Sequence, residues 1–129
     1  MAKTGLYLVD LIIGNVGAEG APTVHFRGSV YAPTGVVNGS AEITQAIAPP
    51  QGDIHVPHVD GVIRHAGLGE DKLLVTLKGT YTVSALPPKI GTYLGYFEAV
   101  LVVDHDWNGT ASITYEGKTI DNLPVRSQA

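Results

Sequence analysis

A chain of 129 residues, 44% hydrophobic and 16% charged, has the size and composition of one folded domain. The lack of cysteine excludes disulfides, thiolate metal sites and cysteine nucleophiles, and a net charge of -4 with lysines and arginines scattered singly argues against a broad nucleic-acid surface. Met1–Thr4 lack the pattern of a signal peptide and no apolar run reaches the roughly 20 residues of a spanning helix, so a cytoplasmic protein without a membrane span is expected, non-classical export being left open.

Taken in chain order, the residues read as strands and turns. Leu6 to Ile13 is apolar on both faces apart from Asp10. That pattern predicts a strand that is central or covered on both sides, with Asp10 as a sheet-end group or a buried carboxylate. Val24, Phe26 and Val30 then alternate with His25, Arg27 and Ser29, the period of a sheet with one buried face. Pro33-Thr34-Gly35 should turn this strand into the next, where Val37, Ala41 and Ile43 alternate with Asn38, Ser40 and Glu42. The one candidate helix, Ile43 to Ala48, alternates as a strand does. Pro49-Pro50 and Pro87-Pro88 cannot donate ladder hydrogen bonds and so lie outside central strands. The clearest alternation sets Leu73, Val75, Leu77, Gly79, Tyr81 and Val83 against Lys72, Thr76, Lys78, Thr80 and Thr82. Tyr93, Phe97, Ala99, Leu101 and Val103 form a similar face. Asn108-Gly109, after Asp106-Trp107, reads as a tight hairpin leading to Ala111, Ile113 and Tyr115, and Glu116-Gly117-Lys118 as a further turn.

These elements define an all-β fold, an antiparallel meander of seven or eight strands in a single domain over residues 1–129. It is expected to close as a barrel-like sandwich or a small barrel. Gly28, Gly39, Gly61, Gly79 and Gly95 recur on apolar faces, where glycine permits sharp coiling or close sheet approach, and they favour the barrel-like sandwich.

Leu6-Tyr7, Ile13-Gly14-Asn15, Pro33 to Gly39, Ile43 to Pro50 and Asp53-Ile54-His55 together resemble a family of short, uncharacterised bacterial proteins catalogued as a domain of unknown function. The resemblance extends through Leu73 to Gly79 and the Asp106-Trp107 region. It implies one small bacterial domain and carries no activity, cofactor or catalytic residue.

The side chains that carry chemistry form three constellations. His55, His58 and His65, with Asp53 and Asp60 nearby, are of a type that binds transition metals. On a regular strand His55 and His65 would stand roughly 33 Å apart with His58 on the other face. A kink at Pro57 would bring His55 and His58 together as a two-ligand start. Asp104, Asp106, Trp107 and Asn108 form a polar turn in which Asp and Asn bond the local backbone and Trp107 caps one end of the core, its N–H reaching an acceptor; the functional alternative is a carbohydrate- or calcium-binding rim with Trp107 stacked on a sugar. Tyr81, Tyr93 and Phe97, with Glu98, would line a barrel mouth that holds a small apolar ligand; the alternatives are core packing for the rings and, for Glu98, pairing with Lys72 or Lys78.

No Gly-x-Ser-x-Gly elbow, phosphate loop or dinucleotide fingerprint occurs. No catalytic set and no cofactor is therefore assigned, and the enzyme question leans towards no. The leading expectation is a non-catalytic binding or structural β domain acting through protein assembly, as a homodimer or with another protein, because strand edges need cover. A small-ligand carrier or barrel enzyme, and carbohydrate or metal binding, are the alternatives.

Overall fold

The structure is a computed structural model that describes residues 5–14, 22–44, 53–65, 72–84, 92–115 and 117–128. It contains the strands β1 (Leu6–Ile13), β2 (Thr23–Tyr31), β3 (Val36–Thr44), β4 (Asp53–His65), β5 (Leu73–Ser84), β6 (Thr92–Val103), β7 (Gly109–Tyr115) and β8 (Lys118–Ser127). Each pairs antiparallel with the next, and β8 returns to β1, closing a barrel in sequence order. Among the described residues no helix is long and apolar enough to cross a membrane.

Alternation makes the inner wall. Across the β5–β6 ladder, Val75 faces Leu101 and Leu77 faces Ala99, and all four are buried. Phe26, Ile43, Ile113 and Val125 continue the same interior around the barrel. Each such side chain contributes about 1.5–3 kcal/mol by leaving water, and no charged residue is buried among the described ones. An eight-stranded barrel is just wide enough for side chains to fill it.

Three local devices bend the sheet closed. Gly28 and Gly39 face each other on the inner wall; a Cβ at Gly39 would stand 2.2 Å from the Arg27 carbonyl oxygen and 2.6 Å from the Gly28 Cα. The backbones therefore approach as only glycine allows. At β4 an extra residue bulges out: Gly39 pairs with Val59 but Ala41 with Val56, so Val56 and Val59 both point inward around exposed Pro57. The third device is a second bulge, in β8, where Ala111 pairs with Leu123 but Ile113 with Ile120, with Asn122 at φ 60°.

One end is plugged by Trp107, which is buried although it sits in the β6–β7 turn. The reading of Asn108-Gly109 as a tight hairpin is corrected here. The loop runs from Asp104 to Asn108, its left-handed residue is Trp107 (φ 64°), and Gly109 opens β7. Asp104 holds this shape: its Oδ1 accepts from the Asp106 and Asn108 N–H groups at 2.9 and 3.1 Å, and its carbonyl accepts from Trp107 N–H. Asn108 Oδ1 in turn accepts from Ser127 N–H at 3.1 Å, tying the loop to β8. The turn at Pro33-Thr34-Gly35 is as expected, with Gly35 at φ 72°.

β1 departs most from its expected setting. It is covered on its inner face alone, since Leu6 and Leu8 are 69% and 75% exposed on the outer wall. Asp10 is neither buried nor at a sheet end; it lies mid-strand on that wall beside His25 and Arg27.

Candidate functional site

Closure at the β1–β8 seam is short. Among the described residues only Leu11, Ile12 and Ile13 pair with β8, opposite Ser127, Arg126 and Val125, whereas β5 and β6 pair from Leu73 to Ser84. The ladder is steeply staggered, so that Val125 faces Gly109 at the start of β7 and Ile13 at the end of β1. Two hydrogen bonds flank the seam: Gly14 N–H donates to Pro124 O, and Gln128 N–H donates to Asp10 O.

These bonds fix which backbone groups face the seam. In an antiparallel strand the N–H and C=O of one residue point to the same side, and successive residues alternate. Asp10 and Gly14 point towards β8, while Gly5 O accepts from Ala32 N–H on the β2 side. The N–H and C=O groups of Leu6 and Leu8 therefore project from the seam side of β1. Among the described residues no strand pairs with Leu6–Val9 there.

Apolar side chains flank this open edge. Leu6 pairs with Tyr31, Tyr31 with Val36 and Val36 with Val62, all on the outer wall and all more than one-third exposed. Beside Leu8 lies a shallow hollow lined also by Asp10, Arg27, Gly28, Ser29 and Asn38. Its charges neutralise one another. His25 Nε2 lies 2.6 Å from Asp10 Oδ1, and Arg27 Nε lies 3.5 Å from Asp10 Oδ2. Arg27 Nε is also 3.3 Å from His25 Nε2, but that nitrogen cannot accept from Arg27 while donating to Asp10. The shorter contact prevails, and His25 and Arg27 both turn to the one carboxylate. Half-exposed pairs of this kind contribute at most about 1 kcal/mol.

The remaining candidates lie elsewhere. Tyr81 and Phe97 belong to the core, the Tyr81 ring lying over Gly95 on β6; Tyr93 is a β6 residue whose side chain lies outside the described residues. Glu98 points outward, with Lys78 Nζ at 3.9 Å, as the pairing alternative held. It shares an open groove of ≈ 350 Å³ on β4–β6 with His58, Asp60, Thr80 and exposed Tyr96. The Pro57 bulge does place His55 and His58 on one face, but in different rows, His55 opposite Glu42 and His58 opposite Thr80. The side chains of Asp53 and His65 lie outside the described residues. No group of three potential metal ligands forms among those that are described. Asp104, Asp106 and Asn108 serve the turn as above, with Trp107 turned inward.

The family described as a domain of unknown function, DUF1842, matches residues 4–119. The chain belongs to that family. The DUF1842 match takes in β1 to β7 and ends just inside β8, so most of the strand that closes the seam lies beyond it. No curated protein matches the chain.

Leu6 and Leu8 were not among the candidate residues that the sequence offers. Their signal was the apolar character of both faces of β1, which reads as burial unless the end of β8 is known.

Proposed function

We propose that this DUF1842 domain is a non-catalytic assembly module, whose working surface is the open edge of β1. The observation that carries the reading is the contrast between the two sides of the seam. On β8 the edge is guarded: Lys118 and Asp121 are exposed, Ser112 Oγ ties Asp121 at 2.7 Å, and the bulge at Asn122 twists the strand. Those are the devices by which edge strands avoid adding a neighbour. The β1 edge has none of them at Leu6–Val9. It presents donors and acceptors at its exposed leucines that have no strand partner among the described residues, a template that takes up an extended chain by main-chain hydrogen bonds. The placement of the described carboxylates supports a non-catalytic role, since all of them stand on the outer wall or in the Asp104–Asn108 turn.

A peptide of residues 5–10 carrying lysine tails for solubility tests the edge itself. Added in excess to the dilute domain, it is expected to slow hydrogen exchange of the Leu6 and Leu8 amides and leave the β5–β6 amides unchanged. Exchange at Leu6 and Leu8 that ignores the peptide would remove the assembly reading.

A further inference from the structure

We infer that the strand taken up by the open β1 edge is β1 of a second copy, paired antiparallel about a two-fold axis at Tyr7. This rests on the reading of that edge as a surface for assembly.

The pattern of free groups selects the partner. An edge that exposes the backbone of Leu6 and Leu8, on either side of Tyr7, is its own antiparallel complement. Turned end for end about Tyr7, Leu6 of one copy faces Leu8 of the other, and Leu8 faces Leu6. Both are hydrogen-bonded pairs, because these are the residues whose N–H and C=O point out of the seam. Every open donor then meets an acceptor, with none left over. The outward side chains agree with the backbone, since the two-fold gathers the exposed leucines of both copies on one wall, next to Tyr31 from each.

Charge also fits a second copy. Each chain carries a net charge of -4, so two copies repel unless they meet where the charge is small. The wall beside the edge is of that kind. Leu6, Leu8, Ser29, Tyr31, Val36 and Asn38 are uncharged, and the nearest carboxylate, Asp10, is held by His25 and Arg27. A strongly basic partner finds no acidic surface here to recognise. Closed symmetric pairs are the commonest assembly of like chains, and an isologous edge needs no further surface.

The lack of native cysteine permits a test of register. Leu6→Cys and Leu8→Cys are prepared separately, checked for native thermal unfolding, and oxidised alone or as an equal mixture. In the inferred register residues 6 and 8 of opposite copies lie about 5.5 Å apart at Cα, within disulfide range. Like residues lie diagonally, about 7–8 Å apart, at or beyond it. The mixture is expected to give several-fold more covalent dimer than either variant alone. In parallel, sedimentation velocity on the unmodified chain should show dimer growing from low to high micromolar concentration. Leu8→Pro deletes a donor only on the open side, leaving the β1–β2 ladder intact, and should weaken the dimer by about tenfold or more.

A chain that stays monomeric throughout, or a mixture that cross-links no better than its components, overturns the inference. If the peptide of residues 5–10 still protects Leu6 and Leu8, the edge accepts an extended strand although two whole domains do not pair through it, and the assembly reading stands without the two-fold dimer. If the peptide fails as well, both fall.

Discussion

Replacing Trp107 with alanine is expected to destabilise the barrel by about 3–5 kcal/mol, the range for emptying a large aromatic site in a core. The indole is 1% exposed and closes the end of the interior at which the β6–β7 turn lies. For a domain of this size the loss corresponds to a fall in Tm of roughly 10–25 °C. Two companion variants separate packing from backbone. Trp107 sits at φ 64°, where a side chain costs about 1–2 kcal/mol and glycine costs nothing. Trp107→Gly should therefore be no less stable than Trp107→Ala, the reverse of the usual order. The indole Nε1 has no hydrogen-bond partner among the described residues, so Trp107→Phe forfeits volume and no hydrogen bond, and should cost only about 1 kcal/mol. Denaturant unfolding followed by circular dichroism measures all three. An alanine variant within about 1 kcal/mol of the native chain would mean that Trp107 does not plug the core.

The second large effect is expected at Gly39. Its missing Cβ would press on two backbone atoms, the Arg27 carbonyl oxygen and the Gly28 Cα, and neither can move aside as the tip of a flexible side chain does. Gly39→Ala should cost about 2–3 kcal/mol, and Gly39→Val more, because β2 and β3 must separate to admit it. Ser40→Ala, on the outer face of the same strand, should change stability by less than about 0.5 kcal/mol. Equal stabilities for the Gly39 and Ser40 variants in urea unfolding would show that the close approach of β2 to β3 is wrong. Gly39→Ala adds a methyl group to the inner wall, whereas Ser40→Ala only removes a hydroxyl from the outer one.

Much of the fold was legible because a strand encodes its faces locally. The alternation from Leu73 to Val83 assigns an inner wall that the structure reproduces at Leu73, Val75, Leu77 and Tyr81, and the inner glycines marked a barrel-like closure. What was not legible depends on distant register. Leu6 and Leu8 read as buried because nothing local to β1 reveals where β8 stops. β8 itself alternates poorly, since a bulge at Asn122 and Pro124 between Leu123 and Val125 interrupt its pattern. Trp107 was placed beside a turn, yet its left-handed backbone was assigned to Asn108-Gly109, the usual carriers of that conformation. Two of the candidate site residues had the right surroundings for a reason visible beforehand: a proline bulge turns His58 to the side of His55, and Lys78 stands across the ladder from Glu98.

Among the described residues Leu6–Val9 find no partner on the seam side of β1, and a second copy completes that edge. Amide hydrogen exchange along β1, resolved residue by residue and repeated from low to high micromolar concentration, tests this most directly. At low concentration protection should alternate: Tyr7 and Val9, whose N–H groups face β2, exchange slowly, while Leu6 and Leu8 exchange fast. As concentration rises, Leu6 and Leu8 should become protected together, and the alternation should vanish. Slow exchange at Leu6 and Leu8 in the dilute chain, or fast exchange there at every concentration, would contradict it.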